Sequence, residues 1–166
     1  MFKALLGALS ISLLASASFA ENAVITGNVQ SKCSIFTETQ GVYGNPTPNE
    51  LSTLPADGGV KPIIRFDVAA ASYYIGKISY PTAFSSAPSL ADSVAWTGDV
   101  AVATVSDPTM SGYEAAKVQY NNVTEYDLSV AGSTWFTVES SATYGFNSSF
   151  PAGTYTAIVV AECIPK

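Results

Sequence analysis

Cys33 and Cys163 are the only cysteines in this 166-residue chain, and they stand near its two ends. In an exported chain an even cysteine count points to a disulfide. An intrachain bond would close a loop of about 130 residues, worth roughly 5 kcal/mol on a chain-entropy estimate. It would also make the first and last segments of the fold neighbours. Two separate thiols, or a bridge between subunits, are the alternatives. Histidine is absent altogether, which removes Ser-His-Asp and Cys-His nucleophiles, His-ligated metals and the usual proton shuttle near neutral pH. There is no S-x-x-K, no G-x-S-x-G, no glycine-rich phosphate loop and no zinc spacing. Carboxylates alone can hydrolyse glycosides, but Asp57-Gly58 and Asp107-Pro108 read as turns and no acidic pair stands out. No D-x-D-x-D loop marks a calcium site. The expectation is a chain with no catalytic residue, no metal and no cofactor.

Several short motifs carry little weight. Asn122-Val123-Thr124 and Asn147-Ser148-Ser149 fit the glycosylation sequon, which matters only in a eukaryotic host. Leu54-Pro55-Ala56-Asp57-Gly58 superficially resembles a sortase signal, yet lies mid-chain. Cys163-Ile164-Pro165-Lys166 has the outline of a prenylation box, but an exported chain never meets that cytosolic enzyme.

The elements that must position these residues begin with a leader. Met1-Phe2-Lys3 is a short positive opening, residues 4–17 are apolar or small, and Ser18-Phe19-Ala20 supplies small residues at the −3 and −1 positions. This is the layout of a secretory signal peptide over residues 1–20, cleaved between Ala20 and Glu21. The apolar run is too short to span a bilayer comfortably, so no membrane span is expected after cleavage. The chain has 7 basic and 13 acidic residues and a formal net charge of −6, and losing Lys3 makes it more acidic by one. No basic stripe exists, so nucleic acid is excluded as a partner on electrostatic grounds. Only 12% of residues are charged, while Gly, Ser, Thr, Ala, Val and Tyr are plentiful. That composition predicts one extracellular all-β domain.

Strand character recurs at residues 23–29, 60–68, 73–80, 99–105, 117–120, 123–130, 134–139 and 154–162. No stretch holds a helical period over three turns. About eight short strands separated by turn signals predict a β-sandwich. Residues 41–59, rich in Gly and Pro, read as a long surface loop; residues 81–91 and 106–112 read as further loops. Residues 154–162 carry no charge before Glu162. Exposed at an edge, such a strand would aggregate, so another strand must cover it.

Ala23-Val24-Ile25-Thr26-Gly27-Asn28-Val29, followed by Cys33-Ser34-Ile35, resembles the mature start of chaperone–usher pilins. In those proteins an alternating strand with a central glycine precedes Cys-x-[Ile/Val]. Pro151-Ala152-Gly153-Thr154-Tyr155-Thr156-Ala157 resembles the opening of their closing strand. Together the two motifs cover about 25 residues. In most such pilins the second cysteine lies in the second strand, whereas here it is Cys163.

The resemblance implies an immunoglobulin-like sandwich lacking its final strand, with residues 21–31 as a donor strand and 32–166 as the sandwich domain. Ala23, Ile25, Gly27 and Val29 would form the face that plugs the groove of the next copy. Strand addition of this kind joins edges by backbone hydrogen bonds and reads side chains in alternate pockets. Being head-to-tail, it does not close, and it generates a filament. The implied partners are other copies of the chain, a periplasmic chaperone and an outer-membrane usher. The implied location is a surface fimbrium reached through the periplasm. The other reading is a secreted sandwich that binds a glycan or a protein through the loops at 41–59 and 81–91, with Trp96, Trp135 and Phe136 as candidate platform aromatics.

Overall fold

The computed structural model describes residues 24–27, 32–145 and 148–166. The leader at 1–20, the cleavage site at Ala20 and Glu21, the plugging residues Ala23 and Val29, and Asn147 lie outside the described residues. The chain divides into two units, Met1–Gln30 and Ser31–Lys166.

The second unit is almost entirely antiparallel β. Its strands are β1 (Cys33–Thr39), β2 (Gly44–Thr47), β3 (Glu50–Ser52), β4 (Ile63–Val68), β5 (Tyr74–Ser79), β6 (Phe84–Ser86), β7 (Val94–Val105), β8 (Val118–Tyr120), β9 (Val123–Leu128), β10 (Gly132–Tyr144), β11 (Thr156–Ala157) and β12 (Val160–Pro165). One four-residue helix, α1 (Tyr113–Ala116), precedes β8. In the larger sheet β10 is central. β7 runs along one side of it, while β4 and then β3 pair with the other side, leading outward to β1 and β2. The second sheet has the order β12-β5-β9-β8, and β6 pairs with β11 in a small third ribbon.

Alternation explains the layers. Ile64, Phe66 and Val68 of β4 are buried, whereas Ile63, Arg65 and Asp67 between them are not. The same period-two pattern buries Thr134, Phe136 and Val138 of β10, and Thr124, Tyr126 and Leu128 of β9. The two larger sheets face each other across these rows in a sandwich-like arrangement. The Tyr126 ring lies 4.5 Å from Phe136, and Phe66 meets Phe136 edge-on at 5.4 Å.

One margin of the sandwich is plugged by side chains. Met110 and Tyr113, both in the connection from β7 to β8, are buried there. The Tyr113 hydroxyl accepts from Val130 N at 2.9 Å. Lys117 Nζ donates to Val100 O at 2.9 Å and pairs with Glu114 at 2.7 Å and Asp99 at 3.3 Å. Burial pulls the Lys117 ammonium down, but the two carboxylates more than offset this and hold it above its ordinary range. The Tyr126 hydroxyl of β9 donates to Val100 O of β7 at 2.8 Å, bonding one sheet to the other.

Four expectations are corrected. Residues 41–59 are not bare loop: they hold β2, β3 and a 3-10 turn at Pro55–Asp57. These elements pair locally or with the long tail of β10, and at three or four residues each they show no period. Residues 81–91 contain β6, and the stretch at 106–112 winds into a 3-10 turn at Pro108–Gly112, capped by Asp107. The expected strand at 154–162 divides into β11 and β12, each pairing with a different ribbon.

Burial, with smaller contributions from Glu114 and Asp99, pushes the Tyr126 phenol far above its ordinary 10.0. A phenol that binds its proton more tightly when folded gives stability that is intact below the unfolded pKa and is lost as pH rises past it. Tyr126→Phe is expected to cost about 1 kcal/mol at neutral pH through the lost hydrogen bond. It should also flatten the fall in stability above about pH 10, as checked by urea unfolding from pH 7 to pH 11.

Candidate functional site

The margin opposite Lys117 is built differently. Among the described residues β1 pairs with β4 alone and β12 with β5 alone, so each sheet ends there in an unpaired edge. Cys33 and Cys163 join these two strands in an intrachain disulfide with a Cα–Cα distance of 6.3 Å. That bond settles the cysteine pairing expected from the sequence and removes the two alternatives.

β1 leaves the disulfide towards Thr39, and the chain leading into β12 approaches it from the region of Tyr155. Beyond the bond the two separate, and a cleft of about 670 Å³ lies between them. Thr37 and residues 40–43 form one wall, residues 153–159 form the other, and Leu51, Ile64 and Ser140 contribute to the floor. The inward rows on these walls are only half-covered. Cys33 and Ile35 on β1, and Tyr155, Ala157, Val159, Ala161 and Cys163 at the other end, are all partly exposed, and Thr37 is exposed. The neighbouring rows on β4 and β5, by contrast, bury Phe66 and Ile78 completely.

No residue lining the cleft carries a charge. Its polar atoms bond to one another. The Tyr43 hydroxyl shares a 2.8 Å hydrogen bond with Ser140 Oγ, and Ser140 N donates to Thr53 Oγ1 at 2.9 Å. Burial raises the Tyr43 phenol, partly countered by its bond to Ser140, so it stays neutral at physiological pH. With no acid, base or cation at hand, the cleft offers shape, apolar contact and the outer edge of β1 at Thr37; in its walls Val42 already bridges Val60 and β11 already pairs on one side with β6. Among the described residues no group of three or more His, Cys, Asp or Glu is placed to hold a metal ion. No helix among them is long and apolar enough to cross a membrane.

The aromatic residues named from sequence are dispersed. Phe136 is fully buried, whereas Trp135 lies on the outer face of the same strand, where the Arg65 guanidinium sits 5.9 Å from it and 4.6 Å from Phe36. Arg65 also pairs with Glu38 and, at 2.9 Å, with Asp67. Trp96 is half-buried, edge-on to Phe84 at 4.7 Å, and lines a shallower cleft of about 580 Å³ with residues 82–88. Phe84 also meets Tyr155 at 5.1 Å and Tyr43 at 6.4 Å, so this cluster buttresses the wall of the larger cleft. The side chain of Asn122 donates to Tyr80 O at 2.8 Å, which commits the first sequon to a turn.

Residues 24–27 have no hydrogen-bonded secondary structure, and Val24 and Ile25 are 85% and 95% exposed. A Cβ at Gly27 would meet nothing within 4 Å. Thr37, Tyr43 and Ser140 were not foreseen as site residues: they are polar, isolated and carry no motif. No family model, curated protein or solved structure matches the chain.

The cleft wall at 40–43 depends on close backbone contact. A Cβ at Gly44 would lie 2.0 Å from Asp57 O, and one at Gly59 would lie 2.3 Å from Ser52 O. Gly44→Ala is expected to destabilise the domain by about 2 kcal/mol or more, whereas Gly112→Ala, into open space, should cost far less. Denaturant midpoints of the two variants check this.

Proposed function

We propose that this chain is a non-enzymatic structural subunit of a surface fibre, assembled when the N-terminal segment of one copy enters the cleft of the next. The observation that carries the reading is the uncharged cleft that opens beside β1 and the segment leading into β12, the strands that end the two sheets. A strand laid there would gain backbone hydrogen bonds and cover the half-exposed inward rows. At about 25 cal/mol per Å² of apolar surface, such coverage is strongly favourable. In this reading β1-β4-β10-β7 and β12-β5 are two sheets of an immunoglobulin-like fold whose final strand is supplied by a neighbour.

Chain direction supports donation to another copy. The Lys32 carbonyl accepts from Ala69 N at 2.8 Å, so the alignment of β1 with β4 continues one residue past the disulfide. The chain therefore enters β1 at the end where the cleft is closed, while the cleft opens the other way. The N-terminal segment of one copy seated in the cleft of another is a head-to-tail contact, which propagates. Residues 21–30 span about 33 Å when extended and β1 about 23 Å, so the donor is long enough. Ile25 and Gly27, with Ala23 and Val29, are the proposed plugging face. A periplasmic chaperone would fill the same cleft before assembly, and an outer-membrane usher would mediate the exchange.

Deleting residues 21–30 should leave a folded chain with its disulfide that forms no polymer at any concentration, as read by sedimentation and electron microscopy. Polymers formed by the truncated chain would rule out strand donation. Loss of folding even with a chaperone present would make the segment an ordinary strand of its own domain.

A further inference from the structure

We infer that the Cys33–Cys163 disulfide is the fixed crotch of the cleft: it spaces the two rails for an inserted strand and stops that strand at a set register. This rests on the strand-acceptor reading above and adds to it a device that reading does not require. Paired strands lie about 4.8 Å apart, so a strand held between two others needs its partners about 9.6 Å apart. At the disulfide the two Cα atoms are 6.3 Å apart, too close for any strand to pass. The cleft must therefore end there, and pairing can begin only beyond Ile35 on one rail and Ala161 on the other.

The rest of the margin gives the bond its importance. The opposite margin is tied across the sheets by Tyr126 to Val100, by Lys117 to Val100 and Asp99, and by buried Met110 and Tyr113. On the cleft side the disulfide is the only covalent tie between the sheets, since the chain has two cysteines. β1 is held to its own sheet on the outer face by Arg65, which pairs with Glu38 and lies over Phe36. Its position relative to β12 is set covalently by the bond to Cys163, beside which Lys32 N donates to the Tyr74 hydroxyl of β5 at 2.8 Å. An empty acceptor with loose rails would pay an ordering cost at every docking event, and a covalent spacer removes part of that cost beforehand.

The alternative role is ordinary. A disulfide can stabilise a fold wholly through the unfolded chain, in which case it leaves the affinity of the folded domain for a strand untouched. The two roles separate in one experiment. A labelled synthetic peptide of residues 21–30 is titrated into the full chain, held as dilute monomer, and into its Cys33→Ser/Cys163→Ser variant, with the folded fraction of each fixed by near-ultraviolet circular dichroism. Binding by the oxidised chain, weakened tenfold or more in the folded variant, is the expected result. Equal affinities would reduce the bond to a general stabiliser and overturn the inference. No binding by the oxidised chain would overturn the strand-acceptor reading itself. A second measurement needs no variant. In hydrogen exchange on the oxidised chain, the peptide should slow amides at 37–39 and 156–160 and leave 33–34 and 162–164 unchanged. Slowing that runs evenly to both cysteines would show the strand passing the bond, and the end-stop would be wrong.

Discussion

The margin of this domain where the first and last strands meet is held by one covalent bond, and much of the architecture follows from that constraint. Cys33 and Cys163 lie in different sheets, each at the strand that ends its sheet. Their bond lies on the margin where the sheets lack the plug of side chains found at the other. The core between them is continuous, from Phe66 through Phe136 to Tyr126, and it thins out towards β1 and β12. The result is a sandwich closed on one side and forked on the other, with a neutral cleft in the fork.

This asymmetry has a physical logic. Edge strands are a liability, and proteins usually blunt them with charge, proline, bulges or cover. The wall of residues 153–159 has none of the charge, and the inward rows of both rails remain half-exposed. The outer faces, by contrast, carry the ion pairs: Arg65 with Glu38 and Asp67 on one sheet, Lys77 with Glu162 on the other. Charge is kept where solvent meets the finished faces and withheld where a further strand would lie. β1 bulges between Thr37 and Thr39 and β11 is paired on one side with β6, but neither wall of the cleft carries charge, and an uncharged edge is what strand addition uses.

Much of the fold was legible in the sequence because its long strands alternate. β4, β5 and β9 fall inside the predicted segments, since Ile64, Phe66, Ile78 and Tyr126 recur at period two between turn residues. The predicted cores of β7 and β10 were correct but short, because Thr97-Gly98 in β7 and Ser140-Ser141 in β10 interrupt the apolar alternation. β1 was harder to see: Phe36 faces outward beneath Arg65 while Thr37 faces the open cleft, which reverses the usual sense of the pattern. The elements at 44–52 are held by backbone contacts around Gly44 and Gly59, which no local period announces. The pairing of the cysteines was among the alternatives that the count allowed, while the cleft walls at Tyr43 and Tyr155 depend on tertiary placement alone.

The central claim is that the fork receives the N-terminal segment of another copy. The most direct test places a photo-activatable cross-linker at Ile25 in chains allowed to assemble, and maps the linked peptides in mixtures of isotopically light and heavy chains. The account predicts light–heavy links from Ile25 to residues 37–43 and 155–160. Links confined to a single chain, or light–heavy links that fall on the outer sheet faces, would contradict it.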